Sequence, residues 1–168
     1  MKHLYIIGGT MGVGKTATSL CLNHCLPNSV FLDGDWCWYM DPFQVTDETK
    51  QLVQNNICFL LNSFLHCSAY ENIVFCWVLH EQSILDGLFS RLETNGCTVH
   101  CVSLVCEERA LAARIQRDID AGIRTADVFP RSMARIRLYD SLQTEKVDVT
   151  SRTPKEAAEE ILRLFPSI

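Results

Sequence analysis

The sequence predicts an α/β fold in which parallel strands alternate with helices. Three observations predict it: short apolar runs rich in β-branched residues recur along the chain, helical patterns separate these runs, and a glycine-rich turn joins the first run to the first helix. The run at residues 72–79 is apolar almost throughout, which is typical of a strand buried on both faces. With 168 residues, the chain is expected to form a single domain over residues 1–168.

Five strands and six helices are predicted in alternation. The strands are expected at residues 4–7, 30–32, 72–79, 98–105 and 146–149, where apolar and β-branched residues concentrate. The helices are expected at residues 14–25, 46–67, 82–94, 107–121, 131–142 and 154–164. The last helix has a clear start signal, because Thr153 can cap it, Pro154 suits its first position and Glu156 its third. This alternation predicts a parallel sheet covered by helices.

Composition and charge argue against several classes of function. The net charge of −5 disfavours a general nucleic-acid binder, whose surface is usually basic. No apolar run approaches the ~20 residues of a membrane span, and the apolar start of the chain runs straight into the glycine-rich turn rather than a signal-peptide cleavage site. The nine cysteines lack zinc-site spacing, which predicts buried, reduced thiols in a cytoplasmic protein.

Residues 9–16 carry the most informative pattern in the chain. They read GTMGVGKT and fit G-x-x-x-x-G-K-[ST], the phosphate-binding P-loop. Backbone N–H groups of the loop and of the following helix would converge on the phosphates of a nucleotide, while Gly12 and Gly14 would permit positive φ angles. The Lys15 ammonium would add a positive charge, and the Thr16 hydroxyl could bind Mg²⁺. The predicted nucleotide-binding residues here are Gly9, Met11, Gly12, Val13, Gly14, Lys15, Thr16 and Ala17.

Two carboxylates follow the second predicted strand. Asp33 and Asp35 flank Gly34, and the carboxyl ends of strands in an open parallel sheet are where ligands bind. One carboxylate could accept the proton of an attacking hydroxyl and the other could hold Mg²⁺. A tight turn with solvated acids is the alternative, and the nearby P-loop favours the functional interpretation. Trp36, Trp38 and Tyr39 come next, and either form a wall of an acceptor pocket or belong to the core.

Seven of the ten arginines lie between Arg109 and Arg137. Arginine is suited to bidentate recognition of phosphate and to stabilising charge on a transferring phosphoryl group. Two helices joined by a flexible turn after Gly122 describe a lid, inserted at about residues 107–143, that could close over a nucleotide. A solvated helix pair with salt bridges is the alternative for some of these arginines, using the carboxylates of Glu107, Glu108, Asp118 and Asp120.

Together, the P-loop, the Asp-Gly-Asp sequence, the arginine-rich segment and the short fifth strand resemble the small P-loop kinases. This family includes gluconate, shikimate and adenylylsulfate kinases, chloramphenicol phosphotransferase, and nucleoside or nucleotide monophosphate kinases. The resemblance implies a three-layer P-loop NTPase fold, with a five-stranded parallel sheet of order 2-3-1-4-5, helices on both faces and a helical lid. It also implies an ATP-dependent phosphotransferase that uses Mg²⁺.

The resemblance also implies roles for particular residues. Lys15 and Thr16 would hold phosphates and Mg²⁺, Asp35 would be the base for the acceptor hydroxyl, and Asp33 would be its partner on the metal side. Arg114 or Arg117 would contact the phosphates from the lid, and the loop that begins at Thr150 would help to hold the adenine. The catalytic residues would thus be Lys15, Asp35, Arg114 and Arg117, and the metal ligands Thr16 and Asp33.

The chain departs from the family pattern after the third strand. That strand runs into His80 and Glu81 with no aspartate at the usual Walker B position, so metal binding would depend on Thr16 and Asp33. The glycine-rich turn of shikimate kinases is also missing, which makes shikimate an improbable acceptor. Glu81 could be a second metal carboxylate, or this stretch could simply be the polar start of a helix. The predicted substrate-binding residues are Asp33, Asp35, Trp36, His80, Glu81 and Arg124.

The expected acceptor is a small molecule, such as a nucleoside or nucleotide, a sugar acid or an antibiotic hydroxyl. We expect a monomer or homodimer that binds neither nucleic acid nor membranes. The alternative function is a nucleotide-binding regulatory module, or a slow ATPase without a small-molecule acceptor. An acceptor pocket beside Asp35 would distinguish the two, since a regulatory module needs no such cavity.

Overall fold

Strands and helices alternate along residues 1–166, the part of the chain that the computed structural model describes. The strands are β1 (Lys2–Gly8), β2 (Ser29–Asp33), β3 (Asn72–Trp77), β4 (Cys97–Val105) and β5 (Glu145–Asp148). The helices are α1 (Lys15–Cys25), α2 (Asp47–His66), α3 (Gln82–Phe89), α4 (Glu108–Asp120), α5 (Val128–Arg135) and α6 (Pro154–Leu164). A first 3-10 helix (Gly34–Trp38) follows β2, and a second (Ile136–Ser141) follows α5. Within residues 1–166, no helix has both the length and the apolar character needed to cross a bilayer.

The five strands form one parallel sheet with β1 at its centre. The order is β2-β3-β1-β4-β5, and every neighbouring pair is parallel. Because parallel neighbours require crossover connections, the intervening helices cover both faces of the sheet. The predicted fold class, a P-loop NTPase fold with a five-stranded sheet of order 2-3-1-4-5, is therefore confirmed. The predicted lid at residues 107–143 stays a prediction.

Side chains of β1 alternate between two apolar clusters, one on each face of the sheet. Tyr5 and Ile7 pack into a cluster with residues of α1, α4 and α6, whereas Leu4 and Ile6 pack into a cluster with residues of α2 and α3. All four side chains are fully buried or nearly so. Successive strand residues point to opposite faces, so a strand covered on both sides must be apolar throughout. This explains the continuous apolar runs in the sequence.

Predicted and observed bounds agree within two residues for most elements, and the clearest differences concern three of them. β3 ends at Trp77 rather than at residue 79, and Leu79 takes a positive φ of 36°. α3 ends at Phe89, because the Asn62 side chain of α2 binds the turn that follows, donating to the Arg91 carbonyl at 3.0 Å and accepting the Glu93 N–H at 2.9 Å. The helix predicted at residues 131–142 is split between α5 and the second 3-10 helix.

α5 is fixed to the P-loop by a buried serine. Ser132 is fully buried, and its hydroxyl donates to the carbonyl of Met11 at 2.5 Å. The Thr10 hydroxyl lies 3.0 Å from both the hydroxyl and the carbonyl oxygen of Ser132. Because α4 is also held in the core, through Leu111 and Ile115, the connection of residues 121–127 lies between two anchored helices.

We expect Ser132→Ala to lower the free energy of unfolding by about 1–3 kcal/mol, because the buried carbonyl of Met11 and the hydroxyl of Thr10 lose a partner. Urea denaturation followed by circular dichroism measures this change. Ser141→Ala is the matched control: Ser141 is exposed, and a change within about 0.5 kcal/mol is expected there. Equal effects of the two substitutions would contradict the anchoring role of Ser132.

Candidate active site

Residues 9–14 form the turn between β1 and α1, with a backbone that only glycine adopts easily at its glycine positions, and Lys15 and Thr16 begin α1. Gly12 and Gly14 have φ angles of 81° and 109°. A Cβ on Gly12 would also lie 2.7 Å from the Ile115 side chain of α4. Among the described residues, no side chain caps the N-terminus of α1, so its first backbone N–H groups lack acceptors within the helix. Such a helix start beside a glycine-rich turn suits a phosphate group.

Lys15 lies at the floor of this turn. Its side chain is buried, and Nζ donates to the Thr10 carbonyl oxygen at 3.0 Å. Burial lowers the pKa of Lys15, while the nearby Asp35 and Asp33 carboxylates act in the opposite direction. The Lys15 ammonium is therefore held by a backbone carbonyl and by two negative charges within the site.

Thr16 and Asp33 place two hard oxygen atoms side by side. The Thr16 hydroxyl donates to Oδ2 of Asp33 at 2.6 Å. The other carboxylate oxygen of Asp33 accepts the backbone N–H of Asp35 at 3.0 Å and so caps the first 3-10 helix. A hydroxyl and a carboxylate are ligands that Mg²⁺ accepts in nucleotide sites, where phosphates and water complete its coordination. These two residues therefore fit the ion predicted for them.

Asp35 lies at the rim of the same cleft. The residue is exposed, yet its carboxyl group is close enough to the protein to lose part of its solvent, and this desolvation raises the pKa of Asp35. The Asp33 charge raises the pKa further, whereas the charges of Lys15 and Arg124 and a hydrogen bond from Trp77 oppose the rise. The net upward shift makes the Asp35 carboxylate a stronger base than a fully solvated one.

Two residues of β3 support these acids and were missed from the sequence. Trp77 packs against Gly34, where a Cβ would lie 2.6 Å from the indole ring, so the glycine between the acids allows the ring to approach. Cys76 pairs in register with Asp33, and burial with the Asp33 charge raises the pKa of its thiol to about 12. A protonated thiol thus lies beside Asp33, near the end of the third strand where the family pattern would place an aspartate. Strand register, which the sequence does not reveal, is the signal that would have found both residues.

A cleft of about 660 Å³ connects the P-loop with the arginine-rich segment. Most of the predicted nucleotide-binding and catalytic residues line it, namely Met11, Gly12, Val13, Gly14, Lys15, Thr16, Ala17, Asp35, Arg114, Arg117 and Arg124. Five further residues line the cleft but were not predicted to bind a ligand, namely Asp118, Ala121, Ile123, Arg152 and Pro154. Gly9 and Asp33 do not line the cleft; Asp33 is buried next to Thr16.

The arginines of the cleft have different partners. Arg114 donates to the carbonyl oxygen of Val13 at 3.1 Å and to those of Val149 and Thr150, so it links the P-loop to the loop after β5. Nε of Arg124 donates to Asp118 at 2.8 Å. Within residues 1–166, no acceptor binds the Arg117 side chain, which is exposed. The roles predicted for these arginines on phosphates stay predictions.

Four further predicted ligand-binding residues, besides Gly9 and Asp33, lie outside the cleft. His80 and Glu81 follow β3 and contact each other, with 3.3 Å between Nε2 and Oε1, and burial and the Arg135 charge lower the pKa of His80. Trp36 packs edge-on against Phe31, with 5.4 Å between ring centroids. The hydroxyl of Thr150 accepts the backbone N–H of Glu107 at 3.0 Å. Their ligand-binding roles stay predictions.

A parallel sheet of this order, with a glycine-rich phosphate loop after its central strand, defines the class of P-loop nucleotide-binding domains. The sequence profile of the AAA domain family matches residues 6–130, which run from β1 into α5. Because the match covers most of the chain, the chain belongs to the AAA domain family. A search of curated protein sequences gives no match.

Solved structures of a tunicamycin resistance protein and of two small-molecule kinases share this fold over nearly the whole chain. The tunicamycin resistance protein of Deinococcus radiodurans has a TM-score of 0.72 at 18% identity, covering 100% of this chain and 98% of that chain. A gluconokinase from Sinorhizobium meliloti has a TM-score of 0.70 at 19% identity, covering 96% and 90%. The shikimate kinase of Acinetobacter baumannii, in complex with shikimate, has a TM-score of 0.61 at 19% identity, covering 98% and 92%. The resemblance predicted from the sequence is therefore confirmed for the fold.

We expect Lys15→Ala to weaken ATP binding at least tenfold, because a charge-assisted phosphate contact is worth about 1.5–3 kcal/mol. Isothermal titration calorimetry with ATP and Mg²⁺ measures the affinity. Lys50→Ala is the control, since Lys50 is an exposed lysine of α2 whose side chain pairs with Asp47, and it should bind ATP like the unaltered protein. Unchanged affinity in Lys15→Ala would contradict the phosphate-binding role.

We expect nucleotide binding to slow amide hydrogen exchange in residues 121–127. This connection contains Arg124, begins near Gly122 with a φ of 70°, and lies between the anchored helices α4 and α5. Exchange measured by mass spectrometry, with and without a non-hydrolysable ATP analogue and Mg²⁺, tests the expectation. Residues 73–76 of β3 are the internal control and should not change. Identical exchange of residues 121–127 in both states would rule out a closing segment there.

Proposed function

We propose that this protein is an ATP-dependent phosphotransferase that moves the γ-phosphoryl group of ATP to a hydroxyl group of a small-molecule acceptor. The observation that carries the proposal is the direct link between the phosphate loop and the acids that follow β2. Thr16 donates to Asp33 at 2.6 Å, and Asp33 accepts the N–H of Asp35 at 3.0 Å. A site for phosphates and a carboxylate base are thereby held in one rigid unit, as in-line transfer requires.

The P-loop side of the site would bind and orient ATP. The N–H groups at the start of α1 and the Lys15 ammonium would contact the phosphates, and Thr16 with Asp33 would hold Mg²⁺. Mg²⁺, when bound, neutralises charge that develops on the phosphates during transfer. Arg117 and Arg124 line the cleft and would add positive charge there. Arg114, whose donors already bind three backbone carbonyls, would position the loops instead.

Asp35 would act as the base on the acceptor side. Its carboxylate would accept the proton of the acceptor hydroxyl while that oxygen forms a bond to the γ-phosphorus and the bond to ADP breaks. The upward shift of its pKa increases its basicity, and the bond from its backbone N–H to Asp33 positions the residue. The kinases named among the similar structures, a gluconokinase and a shikimate kinase in complex with shikimate, support an acceptor of hydroxyl type without identifying it.

We expect Asp35→Asn to lower kcat by about 10²–10⁴-fold while the ATP affinity stays within a few-fold, because a general base acts on transfer and not on nucleotide binding. ADP release is measured with ATP, Mg²⁺ and a panel of nucleosides, nucleotides, sugar acids and antibiotics. Asp41→Asn removes an exposed carboxylate of the same segment and should leave kcat unchanged. Equal kcat in Asp35→Asn and the unaltered protein would place the base elsewhere.

The pH dependence gives a second test of Asp35. Only the deprotonated carboxylate accepts a proton, so kcat/KM should fall as the pH falls through the pKa of Asp35. This acid limb should lie above the usual aspartate value of about 3.9, because the pKa of Asp35 is raised. The limb should be missing from Asp35→Asn. ATP hydrolysis that no acceptor accelerates would instead support a regulatory module or a slow ATPase.

A further inference from the structure

We propose that the acceptor carries a non-anionic aromatic ring system that packs on an aromatic wall beside Asp35. This aromatic wall consists of Trp38, Phe43 and Trp77. The inference rests on the proposed function, because it places the acceptor hydroxyl next to Asp35. It adds a substrate class to that function: an alcohol with an aromatic, non-anionic portion, such as a nucleoside or an aromatic glycoside.

The geometry of the first 3-10 helix selects Trp38 for this role. A 3-10 helix has three residues per turn, so Asp35 and Trp38 lie on the same face and Trp36 lies on another. Trp38 packs with Phe43, with 5.8 Å between ring centroids and 53° between ring planes. Trp36 instead packs on Phe31, which contacts the cluster on the opposite face of the sheet. The aromatic residue nearest Asp35 in sequence therefore faces away from the wall.

Trp77 continues the wall from the strand side. Its indole packs against Gly34, the residue that precedes Asp35. Trp77 and Trp38 both pack against the apolar cluster on the α2 and α3 face of the sheet. Both tryptophans therefore lie on one face of the sheet, next to the segment that carries Asp35.

The rings of the wall are only partly covered by protein. Trp38 and Trp77 are half-buried, and Phe43 is 63% exposed. Among the eleven exposed large hydrophobic side chains in residues 1–166, Phe43 belongs to the wall, and Tyr39 and Val45 lie close to it in sequence. Exposed apolar surface is typical of ligand grooves and interfaces. The contact of Trp77 with Gly34, next to Asp35, favours the acceptor as the occupant of the wall.

The charges around the wall determine what kind of ring fits. Residues 34–49 contain no lysine or arginine, and their only charged side chains are the carboxylates of Asp35, Asp41, Asp47 and Glu48. An anionic group placed over this segment would be repelled and would find no cationic partner within it. The part of the acceptor that contacts the wall is therefore not anionic.

Fluorine NMR of protein labelled with 5-fluorotryptophan tests this directly, because the chain has three tryptophans and two of them belong to the wall. With ADP and Mg²⁺ filling the nucleotide cleft, millimolar uridine or p-nitrophenyl β-D-glucoside should shift the Trp38 and Trp77 resonances but not that of Trp36. D-ribose and D-glucose, which lack an aromatic ring, should shift none. The proposal is overturned if neither aromatic compound shifts Trp38 and Trp77, or if gluconate or the two sugars shift them equally.

A matched pair of variants provides the second test. Phe43→Ser should raise the dissociation constant of the ring compound about tenfold, the loss expected for one aromatic contact. Phe59→Ser removes a phenyl ring of similar exposure from α2, outside the wall, and should leave that constant unchanged. Equal effects of the two substitutions would overturn the proposal. Trp38 shifts that grow with protein concentration in the absence of any compound would also overturn it, by assigning the wall to contact between two copies of the chain.

Failure of this inference can be told apart from failure of the proposed function. If ATP binds and an acceptor accelerates ADP release while the Trp38 and Trp77 resonances stay fixed, the proposed phosphotransferase activity is supported. The acceptor-binding role of the aromatic wall is then contradicted. If the ring compounds shift both resonances but no acceptor accelerates ADP release, the wall binds a ligand and the proposed reaction is wrong.

Discussion

The hydrogen bond from Thr16 to Asp33 is the contact on which the rest of the site depends. It joins the loop after β1 to the end of β2, although β3 lies between these strands in the sheet. A hydrogen bond to a charged acceptor contributes about 1.5–3 kcal/mol, and this one also fixes the rotamer of Asp33. The second oxygen of Asp33 then holds the backbone of Asp35. Thr16 on the phosphate side and Asp35 on the acid side are therefore both held by Asp33, so a shift of either residue would displace the other.

The sequence was sufficient to predict the fold and the phosphate loop. Apolar runs of strand length, separated by helical patterns, predict a parallel sheet, and the glycines of residues 9–16 predict a backbone that the structure has at Gly12 and Gly14. These features are local, so they can be read from neighbouring residues. Both acids of the Asp-Gly-Asp sequence were predicted to lie at the end of a strand beside the phosphate loop. In the structure, Asp33 contacts Thr16 and the backbone of Asp35 there.

Contacts between segments that are distant in the chain could not be predicted from the sequence. Cys76 and Trp77 support the acids through strand register and through the space left by Gly34, which no local pattern encodes. The sequence could not choose among Trp36, Trp38 and Tyr39, because only the backbone shows that a 3-10 turn puts Trp38 on the same face as Asp35. Nothing in the sequence distinguishes Ser132 from the other serines. Only the structure shows that it is fully buried and contacts the loop of Thr10 and Met11.

The Arg114 side chain acts as a spacer on one side of the cleft. Its guanidinium spans the gap between Val13 and the loop of Val149 and Thr150, so it sets the distance between these two parts of the cleft. The three carbonyls that it binds all lie outside residues 34–66, the segment that carries Trp38 and Phe43 of the aromatic wall. Under the proposed function, substitutions in that segment would therefore change which alcohol is accepted while the dimensions of the cleft remain the same.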